Sequence, residues 1–383
     1  MMPQLTLDDF ALNQEYGSSG AKLEQVGENH FRMTLGAAPN QPTWMNKPQF
    51  VIKRNAKGNR LRLDVRAPAE RGGQYPMTEY SYSWSYDNEH WHPISLQTDH
   101  KEENTFFFPE FSEDRVYFGH QVPMSYEKME RLVQEWAQSP FVTVHKIGVS
   151  LEGRNLYRVE ITDPESPYPR TRRWGHYIIN VHPGEHNAQW RMAGMVDWLL
   201  HDPSAAPFLQ KSICHFVMMM SPDGPANGWY RVNAQGVDMN RSYFPDGSNK
   251  ERQAHEAYVC QRDLEQLMAG DAPVSSVWNM HTWQGPVEPI LYPGPEFSSV
   301  LGDWTALRDA IKKHDPKRLV KELKCSKNPE GLKEGWNGGP QHQFGITGVL
   351  CEGGGGLLTK EDNIESGKAL MRGMADFYTV PRE

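Results

Sequence analysis

The stretch Tyr177-Ile178-Ile179-Asn180-Val181-His182-Pro183-Gly184-Glu185 decides the fold. Its first five residues are strand-prone and do not alternate with charged residues, the pattern of a strand buried on both faces. It stops at once on a His-Pro-Gly-Glu turn. The residues that follow, 188–200, place Met192, Met195, Val196 and Leu199 on one helical face. Strand, turn and helix together make the repeating unit of an α/β sheet. Working outward, buried runs at 213–220, 274–280 and 345–351 read as further strands, and 251–268 and 367–378 as helices. A helix over 126–139, with Ser125 as N-cap, opens the series. The expected fold is α/β, with a mixed, mostly parallel sheet and helices on both faces.

Upstream of this region the periodicity changes. Leu61-Arg62-Leu63-Asp64-Val65-Arg66 alternates apolar and charged residues, as a half-buried strand does. Tyr80, Tyr82, Trp84 and Tyr86 alternate with serines, and Asp87-Asn88 separates them from a second run at 91–94, which reads as a hairpin with an aromatic inner face. Short strand patterns recur at 31–35, 50–53, 106–108 and 115–118. Such a ladder of aromatic rings can bind a sugar, but it also serves simply as a core, and the latter reading is taken here. An all-β sandwich is expected over 1–122 and the α/β domain over 123–383, in keeping with roughly 150 residues per domain.

Composition excludes several classes of function. The longest apolar run, 213–220, is interrupted by His215 and falls far short of the roughly 20 residues of a membrane-spanning helix. Residues 1–17 carry Asp8, Asp9 and Glu15 and lack the basic and apolar regions of a signal peptide. The four cysteines, at 214, 260, 325 and 351, have no CxxC spacing and read as free thiols of a reducing, cytoplasmic setting. A formal charge of -8 leaves no electrostatic footprint for nucleic acid.

The chemistry is expected beyond the carboxyl ends of the strands. There the chain delivers His182-Pro183-Gly184-Glu185, then Ser221-Pro222-Asp223-Gly224, then His281 after Val277-Trp278-Asn279-Met280, and Glu352 after Val349-Leu350-Cys351. Two histidines and a glutamate make a catalytic zinc set with one position left open. A bare HxxE pattern is a weak signal. A second copy, His100-Lys101-Glu102-Glu103, lies in a polar stretch of the β region and reads as chance. His176, His186, His255 and His342 are competing histidines, and His186 reads as a loop residue. Glu352 arrives from an apolar strand with no cation near it in sequence. A buried carboxylate needs a charged partner, which a metal supplies. The segment 229–241 carries Arg231 and Asn240-Arg241 behind a Gly-Val-Asp approach, and arginine holds carboxylates through paired, charge-assisted hydrogen bonds.

In this order the motifs resemble the zinc metallocarboxypeptidases, the carboxypeptidase A-like family, and within it the cytosolic carboxypeptidase branch. The matching pieces are HPGE, SPDG, the R-x8-NR pattern from Arg231 to Asn240-Arg241, His281 and Glu352. Gly148-Val149-Ser150-Leu151-Glu152-Gly153-Arg154 is similar to that branch's entry into its catalytic domain, and an N-terminal sandwich also belongs to the branch. The likeness spans about 125–380. It implies one zinc per chain held by His182, Glu185 and His281, with Glu352 as general base. It also implies that Arg231 polarises the scissile carbonyl, and that Asn240 and Arg241 hold the terminal carboxylate of a peptide or protein substrate. One departure stands out. The family has a substrate-closing tyrosine some twenty residues before the catalytic glutamate, and there is none between Cys325 and Cys351. Trp336, the nearest aromatic residue, is taken as the substrate contact instead. Competing readings are a zinc amidohydrolase acting on N-acyl amino acids, and a catalytically weak peptide-binding module.

Overall fold

The computed structural model of the protein describes residues 3–67, 81–100, 103–282, 304–314, 333–353 and 359–382, apart from 14, 16, 96, 246 and 248. The N-terminal region is built from two five-stranded sheets. One contains strands Phe50–Ile52, Tyr82–Ser85 and Val116–His120, and the other His30–Thr34, Arg60–Arg66 and Glu103–Glu110. Their facing side chains form a single core, in which Phe31, Met33, Phe50, Leu63, Tyr82, Phe106 and Phe118 are buried. Strands Tyr82–Ser85 and Trp91–Ile94 pair antiparallel, and Tyr82 and Trp84 point into this core. The serines between them do not face solvent. Ser83 and Ser85 are fully buried, so the strand is covered on both sides where its alternation predicts one. Tyr80 lies outside the described residues.

The second region is organised by one six-stranded mixed sheet. In spatial order its strands are Val142–Val149, Asn155–Ile161, Ser212–Val217, Trp174–Asn180, Val274–Met280 and Thr347–Cys351. The first two joins are antiparallel and the remaining three parallel. From strand Trp174–Asn180 the chain crosses first to Ser212–Val217 on one side and then to Val274–Met280 on the other. The C-terminal end of Trp174–Asn180 is therefore the switch point of the sheet, where a crevice opens between oppositely directed crossovers.

Both faces of this sheet are covered. Ile178, Phe216, Trp278 and Val349 pack on one side against helices Tyr126–Trp136, His186–His201 and Lys360–Phe377. Tyr177, Ile179, Val217 and Val277 pack on the other against helix His255–Met268. Residues next to each other in strand Trp174–Asn180 thus serve opposite cores, the side-chain period of two. Boundaries differ from expectation in two informative places. Helix Lys360–Phe377 begins seven residues before the expected 367, because Thr359 caps it by accepting from Asp362 N. Its first turn is polar and carries no apolar period. Strand Ser212–Val217 ends early, although Met218, Met219 and Met220 remain buried beyond it.

Candidate active site

The chain enters the site from strand Trp174–Asn180, whose last residue is itself part of the framework. Asn180 donates to Met280 O at 3.0 Å and accepts from Gln189 Nε2 at 3.1 Å. It thereby ties two strand ends to the first turns of the helix. The 182–185 turn lies against Tyr230. A Cβ on Gly184 would sit 2.6 Å from the Tyr230 backbone, and Gly184 N–H donates to Tyr230 O. Only glycine allows that approach. The neighbouring 221–224 turn is locked by Asp223, which accepts from Ser150 Oγ at 2.6 Å, Arg154 Nη1 at 2.9 Å and Glu152 N at 3.1 Å. This gives the 148–154 motif its task of holding the second strand-end turn.

His182, Glu185 and His281 are buried, and one potential ligand atom from each lies within 4.8 Å of the others. His182 Nδ1 is 2.8 Å from Glu185 Oε1 and His281 Nδ1 is 2.8 Å from Glu185 Oε2. Thr282 N–H donates to the same Oε2 at 2.9 Å. A carboxylate enclosed in this way is destabilised by burial. The two histidines outweigh that effect and hold Glu185 well below the usual carboxylate range. Burial and Arg231 push His182 downward, but Glu185 and Asp238 prevail and raise it. Two imidazole nitrogens and a carboxylate, converging and buried, suit zinc in donor type and number. The remaining nitrogen of His182 lies 3.1 Å from Asp238 Oδ1, the carboxylate–histidine arrangement that orients metal-binding imidazoles. No other such group occurs among the described residues.

Asp238 is the residue that sequence reading missed. Its Oδ2 accepts from Arg231 Nε at 2.7 Å and its Oδ1 from Asn240 N at 2.9 Å. One carboxylate thus fixes a candidate metal histidine, Arg231 and the turn Met239–Arg241 together. Burial opposes its ionisation, but His182 and Arg231 hold it far below its usual range. Its position seven residues after Arg231 was visible in sequence, though only as part of a turn. Asn240 Oδ1 accepts from Asn279 Nδ2 at 2.9 Å and Trp336 N at 3.0 Å, which leaves the amide nitrogen of Asn240 for the cavity.

His182, Glu185, His281 and Asn240 line a cavity of about 290 Å³ with Trp44, Tyr230, Arg231, Arg241, Thr282, Gly335, Asn337, Leu350 and Glu352. Glu352 stands higher than an ordinary glutamate, chiefly through burial, with His281 pulling it down and Glu185 pushing it up. Seven of the eight residues singled out from sequence therefore meet at one cavity. Trp336 does not join them. Its indole is fully buried, stacked on Tyr177 and edge-on to Tyr243, because the apolar layer beneath the sheet takes it up. Only its backbone serves the site. His186 is also buried, held down to about 4 by desolvation, and is not the loop residue expected. His176 packs on Phe208 away from the cavity. The side chains of His100 and Glu103 lie outside the described residues.

Among solved structures, the chain has the fold of a metallo-carboxypeptidase from Burkholderia cenocepacia, with a TM-score of 0.79 and 21% identity over 95% of this chain and 98% of that one. It is also similar to a metallo-carboxypeptidase from Pseudomonas aeruginosa in complex with (2-guanidinoethylmercapto)succinic acid, with a TM-score of 0.78 and 18% identity over 96% and 98%. The fold is therefore that of the metallo-carboxypeptidases. Residues 126–282 match the zinc carboxypeptidase family. Relatives include cytosolic carboxypeptidase 2 of Xenopus tropicalis, 33% identical over 146 residues, and cytosolic carboxypeptidase 1 of Homo sapiens, 33% identical over 152. Each match takes in 36% of this chain but only 15% and 12% of those proteins, so the chain spans a small part of the length of these relatives.

Proposed function

We propose that the protein is a zinc-dependent carboxypeptidase that hydrolyses the C-terminal peptide bond of a peptide or protein, with one zinc per chain. The observation that carries this reading is the meeting of His182, Glu185 and His281 with Glu352, Arg231, Asn240 and Arg241 around one cavity. The first three residues would hold the zinc, which would supply Lewis acidity and lower the pKa of water toward 7. Glu352, raised by burial, is placed to take a proton from the attacking water and pass it to the leaving amine. Arg231, fixed by Asp238, donates to the oxyanion, a charge that exists only in the transition state. The Asn240 amide and the exposed guanidinium of Arg241 hold the terminal carboxylate. Free, buried thiols at Cys214 and Cys260 and the names of the cytosolic relatives support a reducing, cytoplasmic setting.

The test is elemental analysis together with turnover on a mixed peptide library offered as free acids, as C-terminal amides and as N-acyl amino acids. Cleavage of free acids, at least ~100-fold faster than of amides, is expected from the loss of a charged partner at Arg241. Equal rates on acid and amide would refute an exopeptidase. Cleavage confined to N-acyl amino acids would make the protein an amidohydrolase, and bound zinc without any turnover a binding module.

A further inference from the structure

We propose that Trp44, on a two-stranded ribbon of the N-terminal region, is a positioning residue for Arg231, so that this region is part of the catalytic apparatus. The inference rests on the carboxypeptidase reading above. Trp44 lies on strand Gln41–Met45, which forms a two-stranded ribbon with Ala37–Ala38, and it reaches the same cavity as His182, Glu185 and Glu352. Arg231 Cζ sits 4.8 Å from the centroid of its ring, inside the range over which a cation is attracted to an aromatic face. The guanidinium is thereby held from two directions, with Asp238 on its Nε edge at 2.7 Å and the indole against its face. Its two Nη groups donate to no described residue and remain available to a substrate.

The ribbon is seated on the loop that carries Arg231. Ala38 is buried with Trp229 and Val232, and Trp44 and Ala234 pack against them. Gly236, at φ +78°, lies where a Cβ would come within 2.2 Å of Pro39 O. At the loop's other end, the N–H groups of Ser19 and Lys47 donate to Asn227 O and Gly228 O at 3.1 and 3.0 Å. The N-terminal region therefore grips the loop on both sides of Arg231, and among the described side chains of the gripping ribbon Trp44 alone lines the cavity. A donor for developing negative charge is effective when it is already oriented before the reaction begins. Arginine has a long, flexible stem, so a stack that removes its rotational freedom contributes to turnover and not to ground-state binding.

The experiment compares the wild-type zinc enzyme with Trp44→Ala, Trp44→Phe and Trp44→Leu, measuring kcat, KM, zinc content, melting temperature and affinity for a phosphonate mimic of the tetrahedral state. Wild-type turnover on free-acid peptides tests the carboxypeptidase reading separately. Trp44→Ala should lower kcat by about 10–100-fold, leave KM within about threefold and keep the zinc. It should weaken phosphonate binding by a similar factor, and leave a plain carboxylate product analogue almost unaffected. Trp44→Phe should recover most of the loss, because it keeps an aromatic face. Trp44→Leu fills comparable space without one and should not recover it. Equal activity of the Phe and Leu variants, a loss confined to KM, or a normal kcat in Trp44→Ala would each overturn the proposal. If the alanine variant fails to fold, the Phe and Leu pair still decides it.

Discussion

Between the sandwich sheets, Phe50, Phe106, Phe108 and Phe118 touch one another at centroid separations from 5.0 to 6.5 Å. At the carboxyl edge of the mixed sheet, the buried side chains are instead His182, Glu185, His281, Asn180 and Asn279. Strand direction explains the contrast. In the mostly antiparallel sandwich, neighbouring strands end at opposite edges, so no edge collects the exits of successive strands. The four parallel strands of the mixed sheet all exit at one edge, and whatever follows each of them arrives in the same crevice. Apolar burial stabilises the first region. The second keeps groups that are costly to bury unless each meets a partner, as Glu185 meets two histidines and the Thr282 N–H.

Altering one group in each region puts this contrast to the test. The largest effect is expected at the polar edge. Glu352→Gln should lose on the order of 10²–10⁴ in turnover while keeping its zinc, and substrate affinity within a few-fold. Stopped kinetics with metal analysis checks this, and near-normal turnover would remove Glu352 from the mechanism. In the sandwich, Phe118→Ala should destabilise the fold by about 3–5 kcal/mol, read by denaturant unfolding, with zinc stoichiometry unchanged in the folded protein. Loss of zinc without loss of stability would mean that the two regions are not divided in this way.

A smaller effect is expected at Asp238. Asp238→Asn should weaken zinc binding by about 10–100-fold, measured by competition with a chelator. Unchanged affinity would leave Asp238 serving Arg231 alone. The smallest effect belongs to the seam between the regions. Glu127 is pushed up to about 7, first by its hydrogen bond with Glu15 and then by burial, with Arg131 and Arg154 pulling the other way. The folded protein therefore holds this proton more tightly than the unfolded chain does. That contribution is complete below the ordinary glutamate value and is lost as pH rises through about 7. Melting temperature should decline across that window, and Glu127→Gln should flatten the decline. An identical slope in both proteins would show that the pair plays no part.

Strand, turn and helix patterns around 177–200 could be read in the sequence because each is encoded within about ten residues. A buried run shows as a lack of polar alternation, and a group placed straight after it can only emerge at the strand's end. That local logic picked out His182, Glu185, His281 and Glu352, as well as the aromatic sandwich core. It had no means of finding Trp44, Asp238's three partners or the burial of Trp336. These depend on which distant surfaces meet. The ribbon at 37–45 reaches the cavity only because the sandwich packs on the loop at 227–236. Asp238 joins His182 to Arg231 only once two crossovers have been folded onto one edge. Trp336 sits in a stretch whose polar and glycine neighbours promise a surface loop, yet Tyr177 and Tyr243 offer its indole an apolar slot. Side-chain partners of this kind are chosen by packing between elements far apart in the chain, and no local periodicity records them.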